Sequence, residues 1–353
     1  MELEVPFSSG VRRPQSLRLL AALVAVLSLI AGACSDSSSR SLESPTGAES
    51  ESLDPNLGRT ASDGIPADPP GAGDATEFED LADTSNGRTE SVVHVIGSVR
   101  ATPTDEAWET AIPLVNDDLA TIASVNCNLG DDCDIESIAD WAAGRVDIVN
   151  LATAANVLST ESLTELQSAL EDRGVASVGF GPNRQSAQRP FVFVSEDVSI
   201  SVHAVSLTAI ADVEATDDAP GIAGPQSFEA TLDAIAASRD AEQGVVVVID
   251  WGGLDDRAPS AVETDAAEQL IDAGANAIIG HGSDFLQRFD QVATGVVAYG
   301  LGNAVPASAE PLRRDTSVLR LEFDRPGTSC LLPATATEAG PSLDDEATLD
   351  CSN

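Results

Sequence analysis

Four short polar stretches in this chain each follow a β-branched run: Gly97-Ser98, the segment from Asn150 to Asn156, Asp250-Trp251-Gly252, and Gly280-His281-Gly282-Ser283-Asp284. A fifth, Tyr299-Gly300-Leu301-Gly302-Asn303, comes later. Glycine beside Ser, Asp, His or Asn lets the backbone turn sharply at a strand end, where α/β proteins gather ligand-binding groups. Asp250, His281 and Asp284 carry the strongest chemistry. Two carboxylates and an imidazole suit one hard divalent ion such as Mg²⁺, Mn²⁺ or Ca²⁺. The competing reading, preferred here, has His281 hydrogen-bonded to a nearby carboxylate, with no cofactor. Trp251 reads as packing rather than a ligand platform, and Asn303 as support for a turn. The chain has three histidines, and His94 and His203 fall in mid-strand. A histidine-rich centre therefore cannot be built.

The elements that must position these groups alternate along the chain. β-Branched runs at 92–99, 120–126, 146–153 and 175–180 are followed by a hairpin of 191–194 with 198–207. Further runs fall at 245–250, 277–280, 296–299 and 318–323. Between them, amphipathic spacing predicts helices at 105–119, 135–143, 161–173, 228–239 and 261–273. Ser159 and Thr160 cap the third of these, and Gly174 ends it. Such alternation argues for an α/β fold with much of the sheet buried.

With these residues in this order, the chain resembles the CapA family, the poly-γ-glutamate capsule synthesis proteins, which are related to calcineurin-like metallophosphoesterases. The likeness covers about 92–323 and is strongest over 147–190 and 245–305. It implies a calcineurin-like, metallophosphoesterase-type layered α/β sandwich with metal ligands at its strand ends. It also implies a place in capsule or related envelope synthesis. The family pattern has an aspartate where Ser98 stands. Its Asn-Leu-Glu falls on Ser124-Val125-Asn126 or on Asn128-Leu129-Gly130, and both registers lack the glutamate. Its Ala-Asn-Asn-His becomes Ala152-Thr153-Ala154-Ala155, and the aspartate beyond becomes Leu158. His-Trp-Gly becomes Asp250-Trp251-Gly252, and of Gly-His-His-Pro-His only the first histidine, His281, is kept. Asn150 and Asn156 could replace the missing asparagines in space. The cleft is thus expected to hold Ser98, Asn126, Asn150, Asn156, Asp250, Trp251, His281, Asp284 and Asn303. A two-metal phosphoesterase centre needs several carboxylates and imidazoles around ions about 4 Å apart. Ala154 and Ala155 donate nothing, and a neutral Ser98 is a poor bridge between cations. The expectation is a pseudoenzyme with no catalytic residue that acts by binding. The alternative is a metal-dependent phosphoesterase-like hydrolase with a remodelled site of Asp250, His281 and Asp284.

The ends and the composition bound where such a domain works. Arg12, Arg13 and Arg18 precede an apolar run over 19–30, then Ala31-Gly32-Ala33 and Cys34. A positive flank, a short apolar core and small residues make an export signal, and the core is short for a membrane span. Cys34 directly after small residues makes it a lipoprotein signal, with 1–33 removed and lipid on Cys34. Ordinary cleavage, or an uncleaved anchor helix, is the competing reading. Residues 34–90 are acidic and rich in Ser, Pro and Gly, the composition of a disordered tether. The domain is expected over 91–326, followed by a tail over 327–353. Setting Cys34 aside, four cysteines remain, which in an exported protein read as disulfides, Cys127 with Cys133 and Cys330 with Cys351. The net charge is −40, and the 18 basic residues are all arginine. That balance excludes nucleic acid as a partner. It leaves the lipid anchor as the membrane tether, and an envelope polymer or envelope-synthesis protein as partner. A polyanion would be repelled directly, and Arg184, Arg189, Arg288 and Arg320 are the nearest residues for a basic groove.

Overall fold

The computed structural model describes residues 91–104, 119–127, 133–153, 159–195, 198–208, 213–253, 255–307, 315–323, 328–343 and 351. Residues 1–33, expected as a signal sequence, and 34–90, expected as a tether beginning at Cys34, lie outside them, as do almost all of the helix expected at 105–119, Asn156 and Leu158. The chain runs β1 (Val92–Val99), β2 (Ala120–Val125), α1 (Ile135–Ala142), β3 (Ile148–Asn150), α2 (Thr160–Glu171) and β4 (Ala176–Val178). Next come β5 (Phe180–Gly181), α3 (Arg184–Ala187), β6 (Phe191–Val194), β7 (Ser199–Ser206), β8 (Gly221–Ile222), α4 (Phe228–Asp240) and β9 (Gly244–Asp250). The last part holds α5 (Ala261–Ala273), β10 (Ala277–His281), β11 (Phe289–Val292), β12 (Gly295–Ala298), β13 (Asn303–Val305), β14 (Asp315–Glu322), β15 (Cys330–Thr337) and β16 (Gly340–Leu343).

Period-two alternation sorts the strand residues into layers. One described sheet has the order β16-β15-β14-β1-β2-β3-β4, with β13 also on β1; a second is β11-β12-β10-β9-β7-β6, and β5 pairs with β8 apart from both. Val93, Val95, Ile122 and Ile148 of the first sheet share a core with Val202, Val246, Val248 and Ile279 of the second. Their sequence neighbours point the other way. Val125 and Val149 pack with Ile138 of α1 and Leu163, Leu166 and Leu170 of α2. Val245, Val247 and Ile249 pack with Ile235 of α4 and Leu270 of α5. The order helix, sheet, sheet, helix is the layered α/β sandwich the resemblance implied. Burying one Leu or Ile side chain contributes about 1.5–3 kcal/mol, so a one-residue slip in a central strand would cost several such groups.

Local chemistry sets the element ends. Asp134 caps α1 through the Ser137 amide at 2.8 Å, and Ser159 caps α2 through Ser162 at 3.0 Å. Ser260 and Glu263 form a capping box at the start of α5, satisfying amides that the first turn leaves without partners. The run expected at 175–180 breaks into β4 and β5 at Gly179, whose φ is +84°.

The tail expected over 327–353 is corrected by the structure. β15 pairs antiparallel with β14, and β16 with β15, so the first sheet extends to Leu343. Pro333 disguised β15 as irregular chain. It lies opposite Ser317 of β14, just before the stretch that pairs with β16, where a missing amide costs least. The turn after β15 is anchored as well, because the buried Trp141 donates Nε1–H to the Ala339 carbonyl at 2.9 Å. Both disulfides are present as paired in the sequence reading, Cys127–Cys133 and Cys330–Cys351.

Candidate functional site

At the C-terminal ends of the strands, the apolar layer between the sheets gives way to polar side chains. Continuing the alternation from Ile122 brings Ser124 and Asn126 to that layer, and from Ile148 it brings Asn150. On the second sheet the same step brings Asp250 after Val248, His281 after Ile279 and Ser206 after Ala204. Each of these six is buried, and Asp250, Asn150, Ser124 and Ser206 are fully so.

Ser98 reaches this layer by a different route. Strict alternation from Val93 and Val95 would send Gly97 and Val99 inward. Instead, the register of β1 shifts between Val95 and Ser98, and Ile96 and Val99 both pack in the outer core. This bulge turns Ser98 and Arg100 toward the second sheet. Gly97 is required there, because a Cβ at that position would lie 2.1 Å from the Gly302 carbonyl oxygen.

Two contacts then join the sheets. Ser98 Oγ lies 3.3 Å from His281 Nδ1. Burial pushes the His281 imidazole down to about 3, so the ring is neutral, since its charged form would lose its water. Arg100 Nε lies 3.1 Å from Asp284 Oδ1, and Asn303 donates Nδ2–H to the same oxygen at 3.1 Å. Alongside, Asn150 donates to Ser124 Oγ at 3.1 Å and accepts from the Ala152 amide at 2.9 Å. Asp250 accepts from the Gly252 amide at 2.9 Å. Three buried polar atoms face this region with no hydrogen-bond partner among the described residues: Asn126 Nδ2, His281 Nε2 and Asn303 Oδ1.

Most of the expected cleft residues therefore gather here, namely Ser98, Asn126, Asn150, Asp250, His281, Asp284 and Asn303. Asn156 lies outside the described residues. Trp251 stays out of the cleft and packs, as its reading as a packing residue has it. One residue past Asp250, it points to the opposite face, packs in the outer core of the second sheet and donates Nε1–H to the Tyr299 carbonyl at 3.0 Å. Its ring lies so close to β10 that a Cβ on Gly280 would sit 2.2 Å from it. His281 pairs with a serine rather than the expected carboxylate. Arg100, which the sequence reading missed, supplies positive charge at the site. It stands two residues after Ser98 and shares its face, but that face turns to the site only through the β1 bulge. Of the four arginines named for a basic groove, Arg184, Arg288 and Arg320 pair with Asp217, Asp290 and Glu322 at 3.3, 2.8 and 2.9 Å.

Asp250, His281 and Asp284 do not come together as ligands of one ion. Among the described residues, no group of three or more His, Cys, Asp or Glu side chains could hold a metal. Asp284 is turned to a guanidinium, Asp250 to a backbone amide and His281 to a hydroxyl. A two-metal phosphoesterase centre does not fit this donor set, because a guanidinium beside the carboxylate repels a cation at that position. What the site offers instead is hydrogen bonding from neutral amides, hydroxyls and a neutral imidazole, beside the Asp250 carboxyl group and one largely buried ion pair.

A layered α/β sandwich with a polar centre at its strand ends defines the class. Residues 131–308 match the model of the bacterial capsule synthesis protein family, PGA_cap, and the chain belongs to that family. The capsule biosynthesis protein CapA of Bacillus anthracis is 27% identical over 179 residues, which are 49% of this chain and 43% of that protein. The chain thus matches less than half of that relative's length. Among solved structures, a hypothetical protein from Thermus thermophilus overlaps at a TM-score of 0.47 with 16% identity, covering 70% of this chain and 100% of that one. The NAD nucleotidase of Haemophilus influenzae overlaps at 0.42 with 9% identity, covering 70% and 50%.

Proposed function

We propose that the chain is an exported, membrane-anchored lipoprotein of the cell envelope, acting in poly-γ-glutamate capsule or related envelope synthesis. In this reading its phosphoesterase-type centre is catalytically degenerate, and the protein works by binding an envelope polymer or an envelope-synthesis protein. The observation that supports it most is the pair Arg100–Asp284 at 3.1 Å. A fixed guanidinium stands beside the carboxylate that a metal would need, so the centre carries its own positive charge. The lipid on Cys34 would hold the domain outside the cytoplasm despite the charge of −40.

The alternative, a metal-dependent hydrolase, is favoured by one feature. His281 Nε2 is buried without a hydrogen-bond partner among the described residues, while Nδ1 meets Ser98. That is how a metal-bound imidazole is oriented by a second group. Metal titration separates the two readings. A site with micromolar affinity, given metal at 100 times its dissociation constant, would stabilise the fold by about 2.7 kcal/mol. In a domain of this size the melting temperature would then rise by roughly 5–11 °C. The expected shift for Mn²⁺, Mg²⁺, Ca²⁺ and Zn²⁺ after chelator treatment is below about a quarter of that, with no phosphoester turnover. A full shift that disappears in Asp250→Ala or His281→Ala would overturn the degenerate reading.

A further inference from the structure

At the opposite ends of the same strands lies a cavity of about 680 Å³. It opens where β7, β9, β10 and β12 begin and where β14 ends. Its volume falls in the range of small-molecule sites, about 300–1,000 Å³. Val296, Leu321 and Phe323 give it an apolar wall, and Glu242 stands on its rim.

Glu242 is an unusual choice for its position. It follows α4 with φ at +60°, the left-handed conformation that a side chain disfavours. The chain solves the same problem with glycine after three other helices: Gly144 after α1, Gly174 after α2 and Gly274 after α5, with φ of +71°, +75° and +122°. A carboxylate at a helix C-terminus also meets the negative end of the helix dipole. Both effects oppose glutamate here, and among the described residues no ion pair compensates it. The other acid of the cavity, Glu322, is already engaged by Arg320 at 2.9 Å and by Thr328 at 2.7 Å. No arginine is among the described residues that line the cavity. A carboxylate held against local preference, at the mouth of a cavity with one apolar wall and no lining cation among the described residues, is complementary to an ammonium group on an apolar body.

We propose that this cavity binds a small organic amine, with its ammonium on Glu242 and its carbon chain against Val296, Leu321 and Phe323. The proposal does not depend on the function assigned to the strand-end centre. Calorimetric titration of the full chain with hexylamine, 1-hexanol and hexanoate tests it. Hexylamine should bind about threefold tighter than hexanol, the scale of a rim ion pair, and hexanoate should bind weakest. Glu242→Gln should remove the preference for the amine, and Val292→Trp, which fills the cavity from its β11 side, should abolish binding of all three. Glu242→Gly should lose the amine preference while melting about 2–4 °C higher, because glycine relieves the backbone. Equal binding of hexylamine and hexanol, an unchanged preference in Glu242→Gln, or no binding of any probe would overturn the proposal. A Glu242→Gly variant that melts no higher would remove the premise that glutamate is held there at a cost.

Discussion

Lowering the pH from 7 to 5 should destabilise the domain partly through His203, a buried imidazole in β7. Its Nε2 lies 3.1 Å from Ser238 Oγ of α4, and burial pushes it down from 6.5 to about 4. Because the folded value is depressed, the unfolded chain takes up the proton first as the pH falls. Stability present above pH 6.5 is therefore lost progressively, and the loss is complete near pH 4. Between pH 7 and 5 the unfolded imidazole becomes almost fully charged while the folded one stays neutral, which amounts to about 2 kcal/mol. His203→Gln keeps an amide near Ser238 but does not titrate. Urea unfolding at the two pH values gives the comparison, and the carboxylates contribute equally to both proteins. With a slope near 3 kcal/mol/M, the midpoint of the native protein should fall roughly 0.7 M further than that of the variant. Equal falls would refute the reasoning, because they would mean that His203 charges in the folded state at no cost. His281, held near 3 by its own burial, should add a second loss of similar size, removed by His281→Asn.

Arg100→Ala should cost about 3 kcal/mol in urea unfolding, since it leaves Asp284 buried without its guanidinium; a loss below about 1 kcal/mol would show the pair to be solvated in effect. Replacing both Cys330 and Cys351 by serine should lower stability by about 3 kcal/mol, and replacing Cys127 and Cys133 by about 2, because the separations are 21 and 6 residues. The reverse order in calorimetry would place the longer bridge in a part of the chain already constrained. Cys34→Ala should abolish labelling by a lipid precursor and release the protein from the detergent-extracted membrane fraction; retained label would assign the anchor elsewhere.

Much of the strand-end centre was legible because alternation is a short-range rule. Once Val246 and Val248 face inward, Asp250 must follow, and the same holds for His281 after Ile279. The same rule puts Trp251, beside Asp250 in sequence, on the opposite face in space, in keeping with its reading as packing. Ser98 and Arg100 depend on a bulge in β1, which exists because Gly97 fits beneath Gly302, a contact between segments some two hundred residues apart. No local pattern encodes that approach. β15 and β16 were hidden for a compositional reason: Pro, Thr and Ala carry little of the hydrophobic contrast by which strands are recognised, and their place in the sheet comes from pairing with β14. Glu242 shows the converse, since its left-handed backbone becomes visible only when α4 is seen to end there.

The position of β1 has a mechanical consequence. It begins immediately after the segment assigned as tether, and it lies inside its sheet, antiparallel to β14 on one side and parallel to β2 on the other. Tension transmitted through the chain before Ser91 would act along the axis of β1. The hydrogen bonds on both flanks would then be loaded in shear and would share the force, whereas an edge strand pulled sideways unzips one bond at a time. Were the chain anchored as proposed, force would enter the domain at an interior strand, and its lifetime under force would be set by the rate at which β1 slides out of register.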